Sequence, residues 1–302
     1  MASSVIDSAP SRTDRDGMRP SGRDPRRRLP LGLTIGGLIL ILLGLVAALA
    51  PALARRDPLE QDIARRLQPP TREHLLGTDR LGRDLLSRLL HGARVSLVTG
   101  GLVVATAVTV GLTLGMISGY YGGHVDFGIQ RVVDVVMAFP GILLAIGIMA
   151  FIGQGLANLV VAISIVNIPR VIRVARAGVL QTRQMDFVEA ARALGASDRT
   201  LMVRHILPTI LAPIIVQATF TLVYSIRTES TLNFLGLGVP APDPSWGGLL
   251  DDGKSYLQTA PWLIAAPAGA IALAILSLNL LGDGLRDRLD PRQSARVGVT
   301  AL

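Results

Sequence analysis

Gly248–Ser255, GLLDDGKS, has the spacing of a phosphate-binding loop, G-x-x-x-x-G-K-[ST]. Such a loop cradles phosphate oxygens with backbone amides. It needs a buried strand before it and a helix whose N-terminus faces the phosphates. Pro240–Gly247, PAPDPSWG, instead reads as a proline-rich turn, and Asp251 and Asp252 would set carboxylates against the phosphates. The match is accidental. His74, His91, His124 and His205 have no mutual spacing that suits a metal, and no Ser-His-Asp or paired-carboxylate arrangement can be placed. Zero cysteines exclude disulfides and thiolate metal sites. The chain is therefore not expected to be an enzyme, or to carry a metal or cofactor of its own.

A different chemistry, that of docking, is written in Glu189–Pro208, EAARALGASDRTLMVRHILP. Phe187, Ala190, Ala191 and Leu194 fall at i, i+3, i+4 and i+7, one apolar stripe on a short helix. Gly195 ends that helix where a left-handed residue is wanted. Ser197 can cap a second helix, with Asp198 in its favourable first turn. Arginines load this compact knob, and apolar runs flank it. An ordinary polar loop and a DNA-reading helix-turn-helix are the alternatives. DNA readers seldom sit between two membrane spans.

Glu189, Ala190, Ala191, Gly195, Leu207 and Pro208 match the pattern E-A-A, three residues, G, nine residues, I-x-L-P. In this the stretch resembles the EAA loop of permease subunits of ATP-binding-cassette importers. His205 stands where that pattern has isoleucine, with Ile206 one place late. The segment GTDRLGRDLLSR within His74–Leu97 narrows the resemblance to the dipeptide/oligopeptide (peptide/nickel) branch, second-permease type. Asp134–Ile146 and Leu281–Arg292 look like the same branch. The resemblance implies an all-α membrane protein of six transmembrane helices, the type I importer permease fold, with a cytoplasmic coupling helix. It implies that Glu189, Ala190, Ala191, Arg192, Gly195, Ala196, Ser197, Asp198, Leu207 and Pro208 meet a cytoplasmic ATPase. The implied partners are a second permease in a heterodimer, one or two ATP-binding subunits that hold the ATP and Mg, an extracytoplasmic substrate-binding protein and the lipid membrane. No nucleic acid is implied.

Glu229–Trp262 resembles the outward loop of these permeases, with Glu229, Phe234, Trp246 and Tyr256 as candidate contacts to the binding protein or the path. Interfacial anchoring accounts for Trp262 without any function. Arg227, near the end of an apolar run, stands where the family generally has a small or apolar residue.

Composition supports a membrane chain. Half of the 302 residues are hydrophobic and 17% are charged, which is far from a soluble domain and enough for about six spans at ~20 residues each. The formal charge of +8 comes almost wholly from arginines that flank apolar runs, as in cytoplasmic membrane loops. Residues 1–30 read as a disordered basic tail. Residues 31–54 form a first span, too long for a signal h-region although Ala52-Leu53-Ala54 imitates a cleavage site. In the extracytoplasmic segment 55–94, leucines 81, 85, 86, 89 and 90 make a stripe suited to lying along the membrane. Asp79 and Asp84 are expected to offset some of its arginine charge.

Residues 95–282 form a five-helix core, with apolar runs at about Ser96–Ile117, Val132–Ile152, Leu156–Ile168, Ile206–Val223 and Trp262–Leu281. The fourth run of the chain stops at Pro169-Arg170. The coupling loop spans 183–207, the outward loop 229–261, and 283–302 is a second cytoplasmic tail. Arg170, Arg173, Arg176, Arg183, Arg192, Arg199 and Arg204 between two runs support cytoplasmic termini, and the resemblance implies that the membrane is a bacterial inner membrane. Asp126, Arg131 and Asp134 are expected at solvated or headgroup level, and Gln217 and Asn279 in interhelical hydrogen bonds. A secondary transporter or channel, the rival class, would need ionisable groups that these runs lack. A membrane-anchored DNA-binding or scaffold protein would put its arginines on phosphate.

Overall fold

Eighteen uncharged residues rich in leucine, isoleucine and glycine give the first helix, α1 (Leu31–Ala48), in the computed structural model, which describes residues 31–289. In hydrocarbon no water is present to satisfy a backbone amide, so such a run closes its own hydrogen bonds as a helix. The same rule accounts for the apolar stretches of α2 (Leu85–Tyr121), α4 (Gly141–Ile152), α5 (Leu156–Thr182), α7 (Asp198–Phe234) and α9 (Trp262–Leu289), while α3 (Gly123–Met137) is amphipathic and carries Asp126, Arg131 and Asp134. Two short helices, α6 (Asp186–Ala193) and α8 (Trp246–Gly253), stand in the loops. Among the described residues there is no strand, only an isolated bridge between Thr78 and Asp84. Residues 1–30 and the tail beyond 289, with Arg292 and Arg296, lie outside the described residues.

Five helices, α1, α2, α5, α7 and α9, are long and apolar enough to cross a bilayer, and α3 with α4, bent by 89° to each other, adds a sixth when the pair is counted as one broken span. This corrects the expectation of one straight run over Val132–Ile152. Pro140 lacks the amide needed to continue α3 and disfavours helical geometry at Phe139, so the chain turns and α4 restarts at Gly141. The reverse correction applies at Pro169. There α5 continues to Thr182, because a buried proline inside a span costs one backbone bond that neighbouring helices can shield. The leucines expected along the membrane surface are also placed differently. Asp84 caps α2 by accepting from the Ser87 amide, and residues 85–94 are the first turns of a 37-residue helix about 55 Å long. That length exceeds a hydrocarbon core of about 30 Å, so part of α2 extends beyond the core.

The helices pack around α2, which lies along α5 and α7, while α1 lies along α9. Gly111, Gly115 and Gly119 make the first contact close. A Cβ at Gly115 would sit 2.6 Å from the Ala175 Cβ and 2.7 Å from the Ile172 carbonyl oxygen. Small residues at every fourth position let backbones approach in lipid, where packing replaces the hydrophobic effect as the cohesive force. Gly115→Val is therefore expected to separate α2 from α5 and cost about 1–3 kcal/mol by overpacking. Thermal unfolding in detergent measures it, with Gly101→Val as control because nothing lies within 4 Å of that position. Equal melting of the two variants would remove the seam from the account.

Candidate functional site

The knob after α5 folds as its turn residues dictate. Asp186 and Glu189 occupy the first turn of α6 and Arg192 the last, each sign matching the helix dipole. Gly195 takes φ +83°, its amide donates to the Arg192 carbonyl at 2.9 Å, and the Ala196 amide donates to the Ala191 carbonyl at 3.1 Å. This is a Schellman ending, which satisfies carbonyls that a helix end leaves open. Ser197 then accepts from the Thr200 amide and Asp198 opens α7.

The side of α6 that faces the protein is one residue away from the expected stripe. Val188 is fully buried with Leu201, Ile206 and Ile210 of α7, Val179 of α5 and Met116 of α2. Phe187, Ala190 and Leu194 face away, Leu194 with 89% of its surface exposed, and Ala191 is half-buried. Glu189 and Arg192 are exposed beside them. A Val188 anchor was not legible from α6 alone, because its partners Leu201 and Ile206 are five residues apart. They share a face only because Leu201–Ile206 winds as a wider π-helical turn. That turn also explains His205: Ile206 fills the core while His205 is half-buried at its edge. Leu207 packs on the same cluster, and Pro208 sits exposed at the start of the regular α-helix, where its missing amide is tolerated.

Polar bonds fasten the knob to the spans. The Tyr120 hydroxyl at the end of α2 donates to Asp198 at 2.6 Å, and Arg183 donates to the Gly119 and Tyr120 carbonyls at 2.9 and 3.2 Å. Arg176 forms a two-bond pair with Asp126 at 2.6 Å, and Arg173 donates to Asp134 at 2.9 Å. Asp126 is thus a part-buried partner of α5 where a solvated or headgroup-level role was expected, whereas Asp134 and Arg131 are exposed. Arg131 lies over the Phe127 ring. Gln217 donates within its own helix to Thr221 at 3.4 Å, not across helices, and Asn279 is exposed.

At the opposite end of the spans, the GTDRLGRDLLSR segment forms a buried ionic cluster. Asp79 accepts from Arg83 Nε at 2.7 Å, from Arg88, and from the Leu81 and Arg83 amides. Asp252 of α8 approaches Arg88 at 3.0 Å, Arg83 at 3.4 Å and Arg80 at 3.3 Å. His74 and Asp84, both buried, join at 2.9 Å. The phosphate-loop spelling dissolves here: Gly248–Gly253 is helical, Asp252 holds arginines, and Lys254 pairs with Asp251.

Of the candidate outward contacts, Phe234 is exposed and Tyr256 half-buried, whereas Glu229 and Trp246 are buried. Glu229 accepts from Asn233 at 2.7 Å and from Ser96 and Ser230 at 3.2 Å. The Trp246 indole donates to the Leu89 carbonyl at 3.1 Å. Trp262, expected as an interfacial anchor, packs against Gly77 in a cluster with Leu85 and Leu263.

Residues 111–295 match the family described as binding-protein-dependent transport system inner membrane component. The dipeptide transport system permease protein DppC of Alkalihalophilus pseudofirmus is 45% identical over 264 residues, 87% of each chain. The glutathione transport system permease protein GsiD of Pectobacterium atrosepticum is 44% identical over 257 residues, 85% of each chain. An inward-facing structure of the MetNI methionine ABC transporter superposes with TM-score 0.55 at 17% identity, over 67% of this chain and 96% of that one. At that identity the likeness shows the fold alone.

Proposed function

The chain belongs to the family of binding-protein-dependent transport system inner membrane components, and on that premise we propose that it forms one half of the path by which an ATP-driven importer takes up di- or oligopeptides or related small solutes. It is a multi-pass membrane permease. The carrying observation is the exposed apolar face of α6. A helix anchored by Val188 yet presenting Phe187, Ala190 and Leu194 outward, with Glu189 and Arg192 beside them, is built to be covered. Its small alanines suit close approach to a cytoplasmic ATPase, which holds the ATP and Mg. Closure of the ATPases moves the docked knob, and the buried Val188–Leu201–Ile206 cluster passes that movement to α2, α5 and α7. The result is a two-state gate between inward and outward access, biased by ATP binding elsewhere.

Further contacts follow the exposed surfaces. Phe139, Leu143 and Phe151 leave an apolar face along α4 that suits a second, different permease. Phe234 and Tyr256 at the α8 end suit a substrate-binding protein. Both termini then lie in the cytoplasm of a bacterial inner membrane. Affinity purification of the tagged chain in mild detergent, with mass spectrometry of what accompanies it, tests the assembly. A second EAA-bearing membrane protein and Walker-motif ATPases are the expected companions. A chain that purifies alone and stable would count against the coupling role and favour a secondary transporter.

A further inference from the structure

Arg170 and Arg227 stand out because their charges have no visible answer. Arg170 lies fourteen residues into α5, about 21 Å from its start, and Arg227 seven residues before the end of α7, about 10 Å from it. Both lie within helices long and apolar enough to cross a membrane. Their guanidinium carbons lie 4.4 and 5.2 Å from the centre of the same ring, that of Tyr224. Elsewhere on α5, Arg173 and Arg176 pair with Asp134 and Asp126. Arg170 has only the Asn167 side-chain oxygen at 3.1 Å, and among the described residues no carboxylate reaches Arg170 or Arg227.

Two like charges held around one ring repel each other. Such an arrangement is relieved by an anion. The surroundings leave room for one, since Arg227 is exposed while Arg170 and Tyr224 are half-buried. The site lies where α5, α7 and the first turn of α4 meet, with the Tyr224 hydroxyl against Gly141. Guanidinium groups offer planar pairs of donors that match a carboxylate, and the aromatic ring holds them in place without neutralising them.

We propose that Arg170, Tyr224 and Arg227 form an anion subsite that takes the carboxylate of a solute passing through the permease. This rests on the permease reading above. Asn167 orients Arg170, Tyr224 spaces the two guanidiniums, and Arg227 makes the exposed contact. The subsite favours solutes with a free carboxylate over their neutral or cationic counterparts.

The absence of cysteine allows a direct test. Thr231, one turn from Arg227 on the same face, is changed to cysteine, and the complete importer is placed in phosphatidylcholine proteoliposomes. Labelling of this chain by an anionic and a cationic methanethiosulfonate of similar size is then compared. The anionic reagent is expected to react faster, and a tripeptide with a free carboxylate to slow it more than the same tripeptide amide does. Arg170→Gln with Arg227→Gln should lower the anionic-to-cationic rate ratio by about tenfold or more, as expected for loss of a focused positive field. Arg227→Lys, which keeps the charge, should retain most of it.

No preference in the unaltered complex, or one unchanged in the double variant, overturns the proposal. So does loss of the second permease from the double variant, which would assign the arginines to a carboxylate across the subunit interface. A preference that disappears when phosphatidylglycerol is added would assign them to lipid headgroups. ATP-driven uptake by the unaltered complex is measured in parallel. Its absence would strike at the permease reading, whereas normal uptake without anion preference strikes only at the subsite.

Discussion

Gly195→Pro is expected to cripple ATP-driven uptake while the chain still inserts in the membrane. The native residue sits at φ +83°, and proline is confined near −65°, so the turn between α6 and α7 cannot form. The substitution also deletes the amide that donates to the Arg192 carbonyl. No atom lies within 4 Å of a Cβ at this position, so the defect is one of backbone conformation and not of crowding. Glu189→Arg should leave the turn undisturbed, since the side chain is exposed, and it reverses the charge that the knob would present to an ATPase docked as proposed. Each variant is expected to lose at least about tenfold in uptake, the size of effect that truncating a central contact has in other interfaces. ATP hydrolysis by the co-purified subunits should continue, no longer driving transport. Gly195→Ala should be milder, because a left-handed residue other than glycine costs only about 1–2 kcal/mol. Full coupled uptake by Gly195→Pro and Glu189→Arg would end the coupling role assigned to this knob.

Asp79→Asn is expected to be the most destabilising conservative change at the opposite end. Asp79 is 1% exposed, and the Arg83 and Arg88 side chains that converge on it are nearly as buried. Removing one partner of a buried ion pair leaves buried charge under-compensated, and a full loss of the partner costs about 3–5 kcal/mol. Asp252 compensates only partly, because its side chain is 22% exposed and, although it reaches Arg88 at 3.0 Å, its approach to Arg83 is long, 3.4 Å. Asp252→Asn should accordingly cost less than Asp79→Asn. Glu73→Gln, which breaks an exposed pair with Arg65, should change nothing measurable. Thermal unfolding of the purified complex, with limited proteolysis in residues 55–84, ranks the three. If Asp79→Asn melted with Glu73→Gln, the cluster would not be what holds this segment to α8.

What the sequence determined by itself is local. Long apolar runs dictate helices because no other backbone satisfies its amides in lipid, and the Gly195 and Ser197 turn follows from residues within four positions of one another. The EAA and GTD segments identify the branch by spelling. Where one residue decides the outcome, that reading was weaker: Pro140 breaks a run and Pro169 does not, and only the shielding around each distinguishes them. The tertiary structure alone decided what faces what. A span that is apolar all round has no periodicity to point its faces, so the glycine seam between α2 and α5 became legible only once the helices were side by side. The face of α6 depended on a π-helical turn in the next helix. Asp252 meets Arg88 across 164 residues of chain, a pairing that no local spacing encodes. Charges attract over a few ångströms of space whatever their separation in sequence, and packing sets those distances.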